Sequence, residues 1–374
     1  LERLGIEKAE FYPKATENIK EMIAITEERL KRGHAYEIDG NVYFDVTTFP
    51  EYGKLSGNTL DRLKAQKRAV DDPNKKNAQD FVLWFANSKY KNHIMKWDSP
   101  WGEGYPGWHI ECTAMSMRFL SEAFEDGFHP ERFETVDIHT GGEDNKFPHH
   151  ESEIAQTEGA TGKEFSRFWL HVTHLKVEGE KMSKSLGNFF NIQDLLDKGY
   201  SPKQIRYELI STQYRQPMNF TFTGLDAAQR SMDRIQETIF ALQHRSGEGT
   251  FDASAFIEDA RGKFEDAMDD DLNVSGGLAA LFDAIKMINK NMDAIGDAAA
   301  EDILSFLTRI DTVFNIMDFT QQQAVDKEIE DLIVKRNEAR KAKDFATADA
   351  IRDELKEQGI ELIDTAEGTR WKRS

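Results

Sequence analysis

Lys181-Met-Ser-Lys-Ser-Leu-Gly-Asn188 is the stretch on which the reading of this 374-residue sequence turns. Two lysines and two serines stand in a loop flanked by Gly179 and Gly187. Ammonium groups in a pliant loop can neutralise a polyphosphate where its charge moves. A solvated basic loop or a phosphorylation target has the same composition. The two flanks differ in kind. Upstream, short strand and helix patterns alternate. Downstream, from residue 191, the patterning is helical almost to the end. This change near residue 200 predicts an α/β part followed by a helical part.

Immediately upstream, Phe168-Trp-Leu-His-Val-Thr-His-Leu175 predicts a strand. A briefer strand, Val136-Asp-Ile-His139, leads into Thr140-Gly-Gly-Glu-Asp144. Glycines there let the backbone approach a nucleotide, and Asp144 can bind ribose hydroxyls. An ordinary turn with Asp capping the next helix fits the same residues. A helix from about Pro148 through 158 puts His149 and Glu153 on one face. With Cys112 they make an imidazole, a carboxylate and a thiol, all zinc-ligand types. A buried lone cysteine and a surface His–Glu pair is the competing reading. Further upstream, residues 99–108 form a breaker-rich loop and 109–124 a helix. Residues 17–32 read as an amphipathic helix closed by Gly33, and 35–46 as a hairpin turning at Asp39-Gly40. A short helix is expected at 58–69 and a loop at 70–78.

Downstream, helices are expected at 191–197, 202–212, 224–243, 253–269, 276–295, 300–315, 323–343 and 346–357. Ser246-Gly-Glu-Gly249 is a linker. The segment from Gly359 to Trp371 is a small strand or packed tail.

Composition narrows the class. No apolar run approaches the ~20 residues that cross a bilayer. The start, LERLGIEKAE, lacks the pattern of a signal peptide. One cysteine, Cys112, forbids an intrachain disulfide and suits a reducing compartment, so the expected location is cytoplasmic. Net charge is -19, from 48 basic and 67 acidic residues, which argues against indiscriminate binding of polyanions. Local strips still allow a nucleic-acid partner. Residues 335–374 are the place to look, with Lys335, Arg336, Arg340, Lys341 and Lys343 close together. Trp371 is a candidate for stacking on a single-stranded base.

Lys181 to Ser185 resembles the KMSKS signature of class I aminoacyl-tRNA synthetases. The surroundings narrow the resemblance to cysteinyl-tRNA synthetases. Gly107-Trp-His-Ile-Glu-Cys-Thr-Ala-Met115, Asp137-Ile-His139, Phe147 to Gln156 and Tyr214-Arg-Gln-Pro-Met-Asn-Phe-Thr221 carry it. So do Ala267-Met-Asp-Asp-Asp-Leu-Asn273 and the tail from Ala348 to Trp371. The resemblance implies a Rossmann-type catalytic domain with a connective insertion, followed by an all-helical tRNA-binding region. The implied divisions are 1–98 (connective insertion and return to the catalytic fold), 99–176 (second half of the catalytic fold), 177–245 (KMSKS loop and stem contact), 246–318 (helical bundle) and 319–374 (anticodon binding).

The implied roles can be placed on this chain. Cys112, His149 and Glu153 match three of the family's four zinc ligands. Trp108 matches the residue lining the amino-acid pocket. His139, Gly141, Gly142 and Asp144 match the adenosine-binding segment. Lys181 and Lys184 match the loop that stabilises the phosphates of ATP, with Mg2+ expected alongside. The implied substrates are L-cysteine, ATP and tRNA(Cys), joined through a cysteinyl-adenylate. Related readings are a cysteine:amino-sugar ligase and a non-catalytic or split tRNA-binding chain. The sequence departs from the family pattern in having no second cysteine and no HIGH-type signature, and in carrying Thr140 where glycine is usual. Without an initiator Met, the chain is expected to enter inside the connective insertion. The first half of the nucleotide-binding fold is then expected upstream or on a partner chain, and the isolated 374 residues are expected to activate cysteine poorly.

Overall fold

Ile19, Met22, Ile25 and Arg29 recur at helical spacing and bury one face of α1 (Ile19–Arg32). Gly33, at φ +78°, ends it in the left-handed conformation. The chain then turns through Asp39 and Gly40, both at positive φ, between β1 (Ala35–Ile38) and β2 (Asn41–Phe44). Two consecutive positive-φ residues are what a tight hairpin needs. A short helix, α2 (Leu60–Gln66), precedes β3 (Phe81–Phe85), which pairs with β2 and with β4 (Tyr105–Pro106). The result is an antiparallel sheet in the order β1-β2-β3-β4.

In this computed structural model residues 1–66, 74–86, 93–319, 321–342, 344–365 and 368–373 are described. Parts of the helix expected at 58–69 and the loop at 70–78 lie outside them. The chain divides into two compact units: residues 1–189 with 212–220, and residues 190–211 with 221–374.

The first unit continues with α3 (Trp108–Phe119), β5 (Val136–Gly142), α4 (His149–Thr161) and β6 (Ser166–Val172). Strands β5 and β6 run parallel, Val136 opposite Ser166 and Gly142 opposite Val172. The helix α4 is their crossover, as a βαβ unit requires. Strand β5 is longer than the sequence predicts. Its pairing carries on through Thr140, Gly141 and Gly142, so the glycines end a strand rather than open a loop. Ile138, Phe168 and Val172 leave an apolar face of this pair exposed. The single strand expected over 168–175 is split. Its last residue starts β7 (Leu175–Val177), which pairs with β8 (Glu180–Lys181) and, in parallel, with β9 (Met218–Phe220). The core of the unit joins Met22 and Ile25 of α1, Val42 and Phe44 of β2, Leu83 and Trp84 of β3, Ile110 and Met117 of α3, and Ile154 of α4.

The second unit is helical, as the patterning predicts. It contains α5 (Ile192–Asp197), α6 (Pro202–Ile210), α7 (Phe222–Gln243), α8 (Ala253–Asp269), α9 (Val274–Lys290), α10 (Asp297–Phe314), α11 (Gln321–Lys341) and α12 (Phe345–Glu357). Their starts are written locally. Asn191 and Ser201 make capping boxes with Asp194 and Gln204. Thr221, Asp252 and Asn273 each accept an N–H from the first turn they cap. Leu281, Ile285 and Ile288 of α9 meet Ile303, Leu307 and Phe314 of α10 in one core, and Ile239 of α7 joins them. The tail is a hairpin, β10 (Ile360–Thr365) and β11 (Gly368–Arg373). Ile360 packs with Ile333 and Leu355.

One core position departs from the pattern. Arg29 is fully buried on the same stripe as Met22 and Ile25. Its Nε, Nη1 and Nη2 have no hydrogen-bond partner among the described residues. Burial pushes its pKa down, to about 9. An unpaired buried charge costs several kcal/mol, and apolar groups of similar volume do better. Arg29→Leu is therefore expected to raise stability by about 1–4 kcal/mol, read as a higher midpoint of the first thermal transition. A lower midpoint would show that the guanidinium has a stabilising role.

Candidate functional site

Eleven of the 13 residues of α4 are buried, and His149, His150, Glu151, Ser152, Glu153, Gln156 and Thr157 are among them. Buried polar side chains need partners, so this helix gathers others around it. The i,i+4 spacing stacks His149 over Glu153, with His149 Nε2 at 3.3 Å from Glu153 Oε1. The other oxygen, Oε2, is 3.1 Å from His139 Nε2 on β5. His109 of α3 reaches His149 ring to ring, Nδ1 to Nδ1, at 3.0 Å. His171 of β6 meets His150, Nε2 to Nδ1, at 2.8 Å. Thr113 donates to Gln156 Oε1 at 2.7 Å.

Glycines make room for this packing. A Cβ on Gly141 would lie 2.7 Å from His150 Cε1. A Cβ on Gly107 would lie 2.0 Å from the carbonyl oxygen of Val82, so α3 can start here only with glycine before it. The next residue, Trp108, is exposed and stacks on His149 with centroids 4.2 Å apart. Its indole forms an open wall beside the imidazole.

Burial disfavours the charged form of three of the imidazoles. Burial, helped by repulsion from His149, brings the His109 pKa down to about 4. Burial likewise brings His150 to about 4 and lowers His171. Glu153 is the opposite case. Burial alone would raise its pKa, but His139 and His149 outweigh that and hold it well below the usual range. The half-buried Cys112 thiol is pushed up to about 12, by burial first and then by Glu153 and Glu111.

Ligand atoms of Cys112, His149 and Glu153 all lie within 4.8 Å of one another. Neither oxygen of Glu153 makes a hydrogen bond of good geometry, although both are buried. A cation between sulfur, imidazole and carboxylate would satisfy all three. Such a soft-to-borderline donor set fits zinc, with a position left over. His139, His150 and Glu153 form a second triad within the same distance. It shares Glu153 with the first, and two imidazoles and a carboxylate are likewise zinc-ligand types.

The structure thus brings together Cys112, His149, Glu153, His139 and Trp108, with Gly141 against His150. Asp144 is exposed in the helical turn 143–146 after β5, next to Gly142. The sequence reading did not single out His109, His150 and His171. The signals were present: His109 lies one turn before Cys112 on α3, and His150 follows His149.

Lys181 and Lys184 stand apart, exposed on the segment from β8 to Leu186. Asn188 closes that loop. Its Oδ1 accepts the Ser183 N–H at 2.8 Å, and its Nδ2 donates to Lys181 O at 3.2 Å and Val177 O at 3.4 Å. Lys184 Nζ rests 5.5 Å from the centre of the Phe189 ring. In the tail, Arg336 is buried and donates to Thr369 Oγ1 at 3.4 Å, so it is not presented to a ligand as expected. Arg340 and Lys341 are exposed. Lys343 and the Trp371 side chain lie outside the described residues.

A parallel βαβ unit, a buried metal-type triad and a KMSKS loop define a class I aminoacyl-tRNA synthetase. The model of the tRNA synthetases class I (C) catalytic domain matches residues 1–230. A DALR domain matches 263–321, and a cysteinyl-tRNA ligase anticodon binding domain matches 322–371. The cysteine–tRNA ligase of Brachyspira hyodysenteriae is 44% identical over 385 residues, covering 100% of this chain and 78% of that protein. That of Bacillus licheniformis is 41% identical, covering 99% and 77%. The Mycobacterium tuberculosis methionyl-tRNA synthetase, in complex with methionyl-adenylate, shares the fold at a TM-score of 0.55 and 18% identity, covering 83% of this chain and 72% of that one. The chain belongs to the cysteine–tRNA ligase family.

The raised pKa of Cys112 has a direct consequence. Metal-free, the thiol stays protonated at neutral pH, so its alkylation should be slow. At pH 8 iodoacetamide is expected to react with Cys112 at least ~100-fold more slowly than with free cysteine, the rate rising steadily with pH. A rate equal to that of free cysteine would contradict the burial. Zinc uptake by the same chain should release a proton, measurable in a weakly buffered titration.

Proposed function

We propose that this chain serves the ATP-dependent attachment of L-cysteine to tRNA(Cys). The cysteine carboxylate attacks the α-phosphorus and pyrophosphate leaves; a terminal hydroxyl of the tRNA then attacks the adenylate carbonyl, losing its proton as the acyl–phosphate bond breaks and AMP leaves. The observation that carries the reading is the Cys112–His149–Glu153 triad, with Trp108 as its open wall. Zinc held there supplies a soft Lewis acid for which a thiolate is a far better ligand than a hydroxyl, a basis for selecting cysteine over serine. His109, bonded to His149 Nδ1, leaves Nε2 of that ring facing Glu153 and the metal position. Lys181 and Lys184 meet the phosphates, with Mg2+ sharing their charge. Gly141, Gly142, Asp144 and His139 form the adenosine side. The cysteine:amino-sugar reading is not favoured, because residues 322–371 match an anticodon-binding domain.

The exposed face of β5 and β6 bears on catalytic competence. Parallel strands are ordinarily covered on both faces. Among the described residues these two pair only with each other, and Ile138, Phe168 and Val172 face outward. We propose that adenylate chemistry needs a further parallel layer here, supplied by the same polypeptide or by a partner chain. Cysteine-dependent ATP–pyrophosphate exchange by the 374 residues alone is then expected to stay at background. Exchange at rates typical of an intact synthetase would overturn that part. Metal analysis tests the site itself: zinc should co-purify with the chain and be lost in Cys112→Ser. Unchanged zinc content in that variant would remove the assignment.

Recognition of tRNA is proposed at the tail. Phe345 starts α12 with its ring exposed, and Arg340 and Lys341 are exposed near the end of α11. An aromatic ring beside cations is a stacking platform for an unpaired base. Phe345→Ala is expected to weaken tRNA(Cys) binding by about 1–3 kcal/mol without altering zinc content. Filter binding at two salt concentrations would check this, and unchanged affinity would count against the platform.

A further inference from the structure

We propose that Glu151 is a positioning residue for the metal-binding side chains of α4. The proposal rests on the reading of Cys112, His149 and Glu153 as a metal site. Glu151 lies between two of those residues in sequence but takes no part in their cluster. It is fully buried, and its carboxylate is spent on another segment. Oε1 accepts the Gly53 N–H at 2.9 Å and the Leu55 N–H at 3.4 Å. Oε2 accepts the Ser56 N–H at 2.8 Å. Among the described residues no Lys or Arg forms an ion pair with it.

The donors belong to one tight loop, Tyr52-Gly-Lys-Leu-Ser-Gly57. Gly53 has φ +99°, and a Cβ there would lie 2.5 Å from Asn58 O. The loop is closed by Gly57 N–H donating to Gly53 O at 2.8 Å. This curl turns nearby amides toward one point, a backbone nest for an anion. Here the anion is a side chain of α4. Two further contacts lie alongside. Tyr52 Oη is 3.4 Å from Ser152 Oγ, and Lys54 Nζ is 2.6 Å from Glu158 Oε2. The loop therefore holds α4 at 151, 152 and 158.

What such a grip controls is rotation of α4 about its axis. Side-chain ends lie about 5–6 Å from a helix axis. A rotation of about 20° moves them by about 2 Å, whereas metal–ligand distances tolerate about 0.2 Å. Apolar packing is non-directional and resists such a rotation weakly. Three hydrogen bonds from a rigid loop to one carboxylate resist it strongly. The loop of residues 52–57 and the metal-type cluster are thus joined through the same helix turn, Glu151 lying between His149 and Glu153 in sequence.

The test uses the full chain and Co2+ or Zn2+ as the probe. Wild type, Glu151→Gln, Ser56→Pro and Cys112→Ser are titrated against a chelator, and the Co2+ d–d spectrum is recorded. Glu151→Gln keeps the volume but turns an N–H2 toward an N–H donor. Ser56→Pro removes one donor from the loop side. Both are expected to bind metal 10–100-fold more weakly, with an altered cobalt spectrum, while their far-UV circular dichroism matches wild type. Unchanged affinity and spectrum in folded Glu151→Gln overturn the proposal. Loss of the folded signal in both variants also overturns it, since the loop would then be a folding element. Failure of wild type to bind metal, or full binding by Cys112→Ser, defeats the underlying metal reading and is recognisable as such.

Discussion

Burying a polar helix is the constraint from which the first unit follows. Carboxylates and imidazoles cannot leave water without partners. Several buried polar residues of α4 draw on neighbouring elements. Glu151 takes backbone N–H groups from the loop after Tyr52, and Gln156 takes the hydroxyl of Thr113 on α3. Glu153 takes His139 from β5, and His150 takes His171 from β6. The helix is thus tied on several sides. Its neighbours are located by polar demand as much as by the apolar core of Ile110, Met117 and Ile154.

This explains what was legible in the sequence and what was not. Helices α7 to α10 and α12 have one apolar stripe each, and caps such as Asn273 and Asp344 mark their starts. Periodicity and caps are local, so these elements lay within a few residues of expectation. Helix α4 has almost no stripe, because it is buried nearly all round. Its expected end at 158 fell short of the observed Thr161, where the left-handed Gly162 stops it. Strand β5 ran on past His139 because pairing with β6 overrides the turn preference of Thr140-Gly-Gly. The Cys112, His149 and Glu153 set was legible as a spacing plus a resemblance. The roles of His109 and His171 were not, since only the packing of α3 and β6 against α4 brings them near.

The phosphate-type loop obeys different physics. Its lysines are exposed, Asn188 holds the backbone of Lys181 and Ser183 at once, and Ser183 caps the turn that follows by accepting the Ser185 N–H. A loop stapled at its base and free at its tip can carry cations toward a ligand without disturbing the sheet below it. The contact of Lys184 with Phe189 gives the ammonium a partner that solvent can readily replace. In the proposed reaction the triad and the exposed loop would divide the chemistry. One would discriminate through fixed geometry, and the other would meet charge where it develops.

Net charge and apolar exposure carry the last step. A chain at -19 repels a polyanion at long range, so any tRNA contact must be built from short-range groups. Residues 335–374 hold ten basic and nine acidic side chains, near balance within an acidic protein. Arg336 is withdrawn into the fold by Thr369, while Lys335, Arg340, Lys341 and Phe345 are exposed. A weak local field with an aromatic ring favours stacking over steering. At the other end of the function, Ile138, Phe168 and Val172 remain in water on a parallel pair that elsewhere in such folds is interior. The metal-type triad is complete enough to be recognised while the sheet beside it still has an apolar face to cover. On the proposed reading, selection of the amino acid and its activation would draw on different parts of the fold.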